Sequence, residues 1–254
     1  VKIVITGIAG TIGTLVAREL SRDHEVVGLD LRPSDEFETH LVDLADGDAL
    51  PPLLRGADAA IHLAAEPRHG PEIGWDILMP RNVVPTANVF QAAHDSGVRR
   101  VVFASSMHVT GMYELDEPYL SITDGTYGDI DPEQVPLITA DMPSRPDGRY
   151  AVTKLFGESL GRYYAEAEHM EVVCARIGTV GGGDRPGDDA RSYVSWLSHR
   201  DAAAFFRASV ERPGLRYEIL YAASANRWKV YDTPRAWRVL GFMPTDNAEA
   251  FRPR

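Results

Sequence analysis

Tyr150 and Lys154 stand four residues apart at the start of a helical stretch, a spacing that puts both side chains on one face. Of the 26 lysines and arginines only three are lysines (Lys2, Lys154 and Lys229), and there are 10 tyrosines. Chance would place a Lys four residues after any Tyr about 0.1 times in such a chain. Where arginine is otherwise favoured so strongly, a lysine here points to a need for a compact ammonium. A free phenol titrates near about 10 and is no base at neutral pH, but a neighbouring ammonium favours the phenolate. Such a phenolate can remove a hydroxyl proton. The bland alternative is a solvent-facing helix pair. Ser106, in the run FASSMHVTG, would hold the reacting oxygen, or else simply cap a strand end.

The run ITGIAGTIG sets Gly7, Gly10 and Gly13 three apart, with Thr11 and Ile12 between the last two. Glycines there let the backbone approach a pyrophosphate, whose charge a following helix N-terminus stabilises. Three glycines so spaced arise by chance in about one such chain in six, so strand before and helix after carry the reading. Asp30 ends the second predicted strand, where a carboxylate accepts both adenosine ribose hydroxyls and repels a 2′-phosphate; NAD is therefore expected over NADP. Arg32 keeps an NADP reading open, and Asp30 could be no more than a turn residue before Pro33. Asp43 and Leu44 follow the third strand, placed to meet the amino group and face of an adenine. A bound nicotinamide would accept the hydride and add a positive charge favouring the Tyr150 phenolate.

The elements that must position these residues alternate strand and helix, the pattern of a parallel sheet with crossover helices. Strands are predicted over 2–6, 25–29, 40–42, 59–63, 100–104, 171–177 and 217–221. Helices are predicted over 11–21, 48–54, 81–96, 150–168, 192–211 and 233–240. Pro85 falls in the first turn of the third helix and Gly97 ends it. From 112 to 149 the pattern dissolves into Pro, Gly and Asp, a long loop of the functional or mobile kind. The reading is α/β: a Rossmann-type doubly wound parallel sheet in one domain, 1–254, with small substrate-cap elements mainly within 178–254.

At 254 residues with 44% hydrophobic and 25% charged residues, the chain can bury a full core. No apolar run approaches a membrane span, and a net charge of −11 disfavours nucleic acid and anionic membranes as partners. The single cysteine, Cys174 in VVCARI, excludes an internal disulfide and reads as a buried hydrophobe; no metal is expected. Asp124, Asp129 and Asp131 read as a solvated loop. The N-terminal run VKIVITGIAG reads as a strand rather than a leader, and a reducing cytoplasm is expected.

With the segment HLAA (62–65) and Asn82, these residues resemble the extended short-chain dehydrogenase/reductase family, the NAD-dependent epimerase/dehydratases, over about the first 180 positions. The resemblance makes Ser106, Tyr150 and Lys154 catalytic and places Leu63, Ala64, Ala65, Asn82 and Ile177 beside the cofactor. The segments ASSMH, RPDGRY, ARIGT, RSYVSWLS, ASAN and DNAEAFR are similar to the uronate dehydrogenase branch. The 113–143 loop and the run EPR (66–68) look more like an NAD-dependent glucose-6-phosphate dehydrogenase branch. Both branches oxidise an anomeric hydroxyl to a lactone. Carried over, Ser106, Met107, His108, Thr179, Arg191 and Phe251 would meet the sugar, with Arg191 as a carboxylate clamp, and Arg68 adds an anion site. Arg191 is otherwise an ordinary surface arginine, and His108 a packed strand-end residue. Met107 and Pro67 replace an Asn and a Ser usual at those positions.

The expected partner is a small-molecule sugar or sugar acid, and the resemblance allows a homo-oligomer. Two other functions fit less well. A nucleotide-sugar epimerase or dehydratase wants a larger C-terminal lobe than the 77 residues after Ile177, and a non-catalytic dinucleotide-binding module tends to lose the Tyr/Lys pair.

Overall fold

Short runs of Val, Ile and Ala build the sheet because alternate residues of each strand find an apolar layer on either side. The computed structural model describes residues 1–252. Among these, seven parallel strands stand in the order β3-β2-β1-β4-β5-β6-β7. They are β1 (Lys2–Thr6), β2 (Glu25–Asp30), β3 (Thr39–Leu41), β4 (Ala59–His62), β5 (Arg100–Ser106), β6 (Glu171–Ile177) and β7 (Tyr217–Ala222). The chain runs outward from β1 to β3, then returns to place β4 on the other flank of β1. That reversal opens a crevice at the carboxyl ends of β1 and β4.

Ile3, Ile5, Ile61, Val102, Ala104, Val173 and Ala175 face one layer, formed by α1 (Thr11–Leu20), α8 (His199–Glu211) and α9 (Thr233–Leu240). Val4, Ala60, Val101, Phe103, Val172 and Cys174 face the other, formed by α2 (Leu50–Leu54), α4 (Val84–Asp95) and α6 (Arg149–Ala167). Each fully buried aliphatic of this kind contributes on the order of 2 kcal/mol.

Three local departures from the expected elements bear on the site. The helix expected from 81 begins earlier, as α3 (Trp75–Leu78), and passes through a π-helical turn, Met79–Val83, into α4. Pro80 and Pro85 lack amide hydrogens, and the turn is closed instead by the Val84 N–H donating to the Met79 carbonyl. The single helix expected over 192–211 is two, α7 (Ala190–Ser195) and α8. Between them Leu197 N donates to Thr179 O (2.9 Å), and the Ser198 side chain caps α8 by accepting from Asp201 N (3.0 Å).

The stretch 112–149, expected as loop, is structured in its first part: a 3-10 segment, Met107–Leu115, runs into it, and α5 (Tyr119–Thr123) follows. Met107, Tyr119, Ile122, Val135 and Ile138 pack with Val194, Tyr221, Trp228, Val230 and Tyr231 into a separate apolar cluster. The small lobe beside the sheet is thus shared between 107–142 and 194–231 rather than drawn mainly from residues after 178.

Candidate active site

A cleft of about 1330 Å³ runs along the carboxyl ends of the strands. At one end lies the turn after β1. Gly7 has φ +76°, and a Cβ on Gly13 would fall 2.2 Å from the Gly7 carbonyl oxygen. No side chain caps α1 at Gly10, so Thr11, Ile12 and Gly13 present the helix start to the cleft. This cradle, too tight for a side chain and lined by the positive end of a helix, fits a pyrophosphate. Asp30 ends β2 at its rim; its Oδ2 accepts from Ala9 N (3.0 Å) and its Oδ1 from Arg32 N (3.1 Å), which fixes the carboxylate toward the turn. Asp43, Leu44, Leu63, Ala64, Ala65 and Ile177 line the same cleft, with Arg32 close by.

The other end is built on β5 and the first turns of α6. Lys154 is buried and donates to Ala104 O at 2.8 Å, with its Nζ 5.5 Å from the centroid of the Tyr150 ring. Burial pulls the Lys154 ammonium down to about 8. The Tyr150 phenol is pushed up to about 12 by burial, against the smaller opposing effect of Ser106. Ser106 lines the cleft, and its Oγ also accepts from His108 N (3.3 Å), so the cap and the cleft position coexist. Beneath the pair, His62 Nδ1 lies 2.7 Å from Thr6 Oγ1 and Nε2 3.1 Å from Thr86 Oγ1. Burial, and then the Lys154 charge, push this imidazole down to about 3, so it is neutral at physiological pH.

Beside Tyr150 the 3-10 segment, the loop before α6 and the loop after β4 bring together three groups, of which only His108 is expected from the sequence. His108 Nδ1 meets Asp147 Oδ2 at 2.6 Å, and the His69 ring lies 4.6 Å from the His108 ring and 6.1 Å from that of Tyr150. Gly111 makes room for this: a Cβ there would stand 2.1 Å from Asp147 Oδ2.

A model of the NAD dependent epimerase/dehydratase family matches residues 3–204. The chain belongs to that family. It is 34% identical to the NAD-dependent glucose-6-phosphate dehydrogenase of Haloferax volcanii, across 98% of this chain and 95% of that one. It is 32% identical to the L-arabinose 1-dehydrogenase (NAD(P)(+)) of the same organism, across 97% of each. A mutant uronate dehydrogenase from Agrobacterium tumefaciens, solved in complex with NAD, superposes with a TM-score of 0.80 at 30% identity, covering 99% of this chain and 87% of that one.

Not every residue that the family resemblance suggested reaches the cleft. Thr179, His108 and Arg68 line it. Asn82 lies behind its wall, where its Oδ1 accepts from Glu66 N (2.7 Å) and its Nδ2 donates to Glu66 O (3.2 Å) and Thr153 Oγ1 (3.1 Å). Met107 is turned into the aromatic cluster of the small lobe and is not a cleft residue. Phe251 packs edge-on against Trp196, ring centroids 5.2 Å apart, outside the cleft. Arg191 also stands off the cleft wall, its Nε donating to Glu114 Oε2 at 2.5 Å. Glu66, His69, Asp147 and Glu114 are the residues that sequence reasoning missed. Two of them had a signal: Glu66 as the Glu of EPR, and Asp147 as the Asp of RPDGRY two residues before the Arg149–Tyr150 helix start.

Proposed function

We propose that this protein is an NAD-dependent dehydrogenase that oxidises the anomeric C1 hydroxyl of a sugar acid, sugar phosphate or aldose to the lactone. The observation that carries this reading is the presence of Ser106, Tyr150 and Lys154 on the same cleft as the glycine turn and Asp30. Gly7, Gly10, Thr11, Ile12 and Gly13 would hold the cofactor pyrophosphate, Asp30 the adenosine ribose, and Asp43 with Leu44 the adenine. NAD, when bound, supplies a hydride acceptor and a positive charge.

The protein's own part is the proton. With its pKa pushed up to about 12, Tyr150 stays a phenol until a cation enters the cleft. Lys154, at about 8, carries its charge at neutral pH and is fixed by Ala104 O rather than by solvent. Ser106 Oγ would hydrogen-bond the C1 oxygen and aim its proton at Tyr150 Oη. With the cofactor's positive charge in place Tyr150 would ionise, its proton leaving to solvent. The phenolate would then take the C1 O–H proton while the C1–H pair is given up as hydride to the acceptor that NAD supplies, which leaves the C1=O bond of the lactone.

NADH formation from NAD⁺, followed by absorbance against a panel of aldoses, uronic acids and sugar phosphates, tests this. Turnover with at least one sugar is expected, and Tyr150→Phe should abolish it while sparing NAD binding. Tight NAD binding with no turnover on any sugar would sink the reading.

A further inference from the structure

Arg81 lines the cleft, and the two arginines that the resemblance sets against an anionic sugar, Arg68 and Arg191, each have a carboxylate of their own. Arg68, at the cleft rim with 64% of its side chain exposed, donates through Nε and Nη2 to the two oxygens of Glu66, 2.8 Å each. Arg191 has a firmer partner. Glu114 is buried in the 3-10 segment; one oxygen accepts from Arg191 Nε and the other from the hydroxyl of Tyr231, itself wholly buried. Tyr231 is tied back to the small lobe by a backbone bridge to Ile138, so Glu114 is held on both oxygens.

A second carboxylate lies within electrostatic reach. Burial works against the Arg191 charge, but Glu114, Tyr231 and Asp147 together hold its pKa above the usual value. Asp147 in turn meets His108, which faces the cleft. The group therefore comprises one guanidinium, two carboxylates and one imidazole. Its net charge is −1 with His108 neutral and zero with His108 protonated. In neither state is its net charge positive.

We propose that Glu114 is a specificity-determining residue: by holding Arg191 off the cleft it turns this side of the site against a carboxylate and selects an uncharged aldose. This rests on the dehydrogenase reading above. A uronate that drew Arg191 to itself would leave Glu114 buried without its cation, and a buried charge stripped of its partner is strongly unfavourable. Sugar hydroxyls make no such demand. They can exchange hydrogen bonds with Ser106 and His108, which line the cleft, without disturbing the pair.

The test is the ratio of kcat/KM, with NAD⁺ saturating, for D-galactose, D-glucose and L-arabinose against D-galacturonate, D-glucuronate and glucose 6-phosphate. The intact protein should favour the neutral sugars by about tenfold or more. Glu114→Gln keeps the side-chain shape and an acceptor for Tyr231 while removing the charge. It should raise kcat/KM for the uronates about tenfold, mainly through KM, and leave the neutral sugars within about threefold. A uronate or phosphate preferred by the intact protein overturns the proposal, whether or not the variant folds. So does a Glu114→Gln change that moves both classes alike. Absence of turnover with every sugar is a different result, which removes the dehydrogenase reading and this proposal with it.

Discussion

The Lys154 ammonium donates to the carbonyl oxygen of Ala104 at 2.8 Å, so the catalytic helix α6 is pinned to the end of β5 by the same group that would assist Tyr150. Lys154→Met should leave that carbonyl without its donor and remove the charge. The expected result is a folded protein whose kcat is lower by about 100-fold or more. Lys154→Arg should not restore it, because a planar guanidinium does not reproduce a point charge packed against Phe103. The pH profile carries a second signature. The Lys154 charge is present below about 8 and lost above it, so the rise in kcat/KM with pH should level off past that point. Wild-type kcat in Lys154→Arg would refute the role assigned to the ammonium.

His62 should make the protein acid-sensitive. Its folded-state pKa is about 3 against about 6.5 unfolded, so between these values the unfolded chain binds the extra proton and stability falls as pH falls. Its contribution is complete above about pH 6.5. Urea unfolding at pH 7 and pH 5 should show the wild type losing about 2 kcal/mol more than His62→Gln. Equal losses in the two proteins would show that His62 is not the group responsible.

Gly13→Ala tests the cofactor cradle. The added methyl would lie 2.2 Å from the Gly7 carbonyl oxygen and must displace the turn. NAD affinity, measured by calorimetry, should fall at least about 100-fold while the far-ultraviolet spectrum is retained. Undiminished binding would place the pyrophosphate elsewhere.

The buried pair Arg176–Glu158 predicts a stability effect next to the site. Glu158 accepts from Arg176 at Nε and Nη2 (2.8 Å each) and from Ser105 Oγ (2.6 Å), one residue before Ser106. Glu158→Gln strands the guanidinium in the core and should cost about 3 to 5 kcal/mol, a fall in Tm of about 10 °C. The double variant Glu158→Leu, Arg176→Met should be less destabilised than the single one. A double variant as unstable as the single one would mean that an uncompensated charge is not what costs.

The sheet was legible because its strands are short apolar runs and several of its helices carry a 3.6-residue apolar period; α1, which buries Gly13, Val16, Ala17 and Leu20 on one face, is a clear case. The glycine turn and Asp30 were legible for a similar reason, since local backbone demands dictate their types. Met107 misled because a resemblance in the run ASSMH assigns adjacent residues to one site, whereas neighbours at a strand end point to opposite sides. Glu114 could not be found by such means, and Asp147 only through the run RPDGRY. They reach Arg191 and His108 from segments with no periodicity, and their importance lies in a charge balance that exists only once the chain is folded.

Asn82 links two parts of the molecule far apart in sequence, the loop after β4 and the helix α6. The Glu66 amide is held by that side chain and by no regular secondary structure. In hydrogen–deuterium exchange it should therefore be slow for a loop amide, opening together with the first turns of α6 rather than with the residues around it. Loosening of one would then be felt by the other, and the stretch that lines the cofactor cleft would share the cooperative unit that carries the proton chemistry.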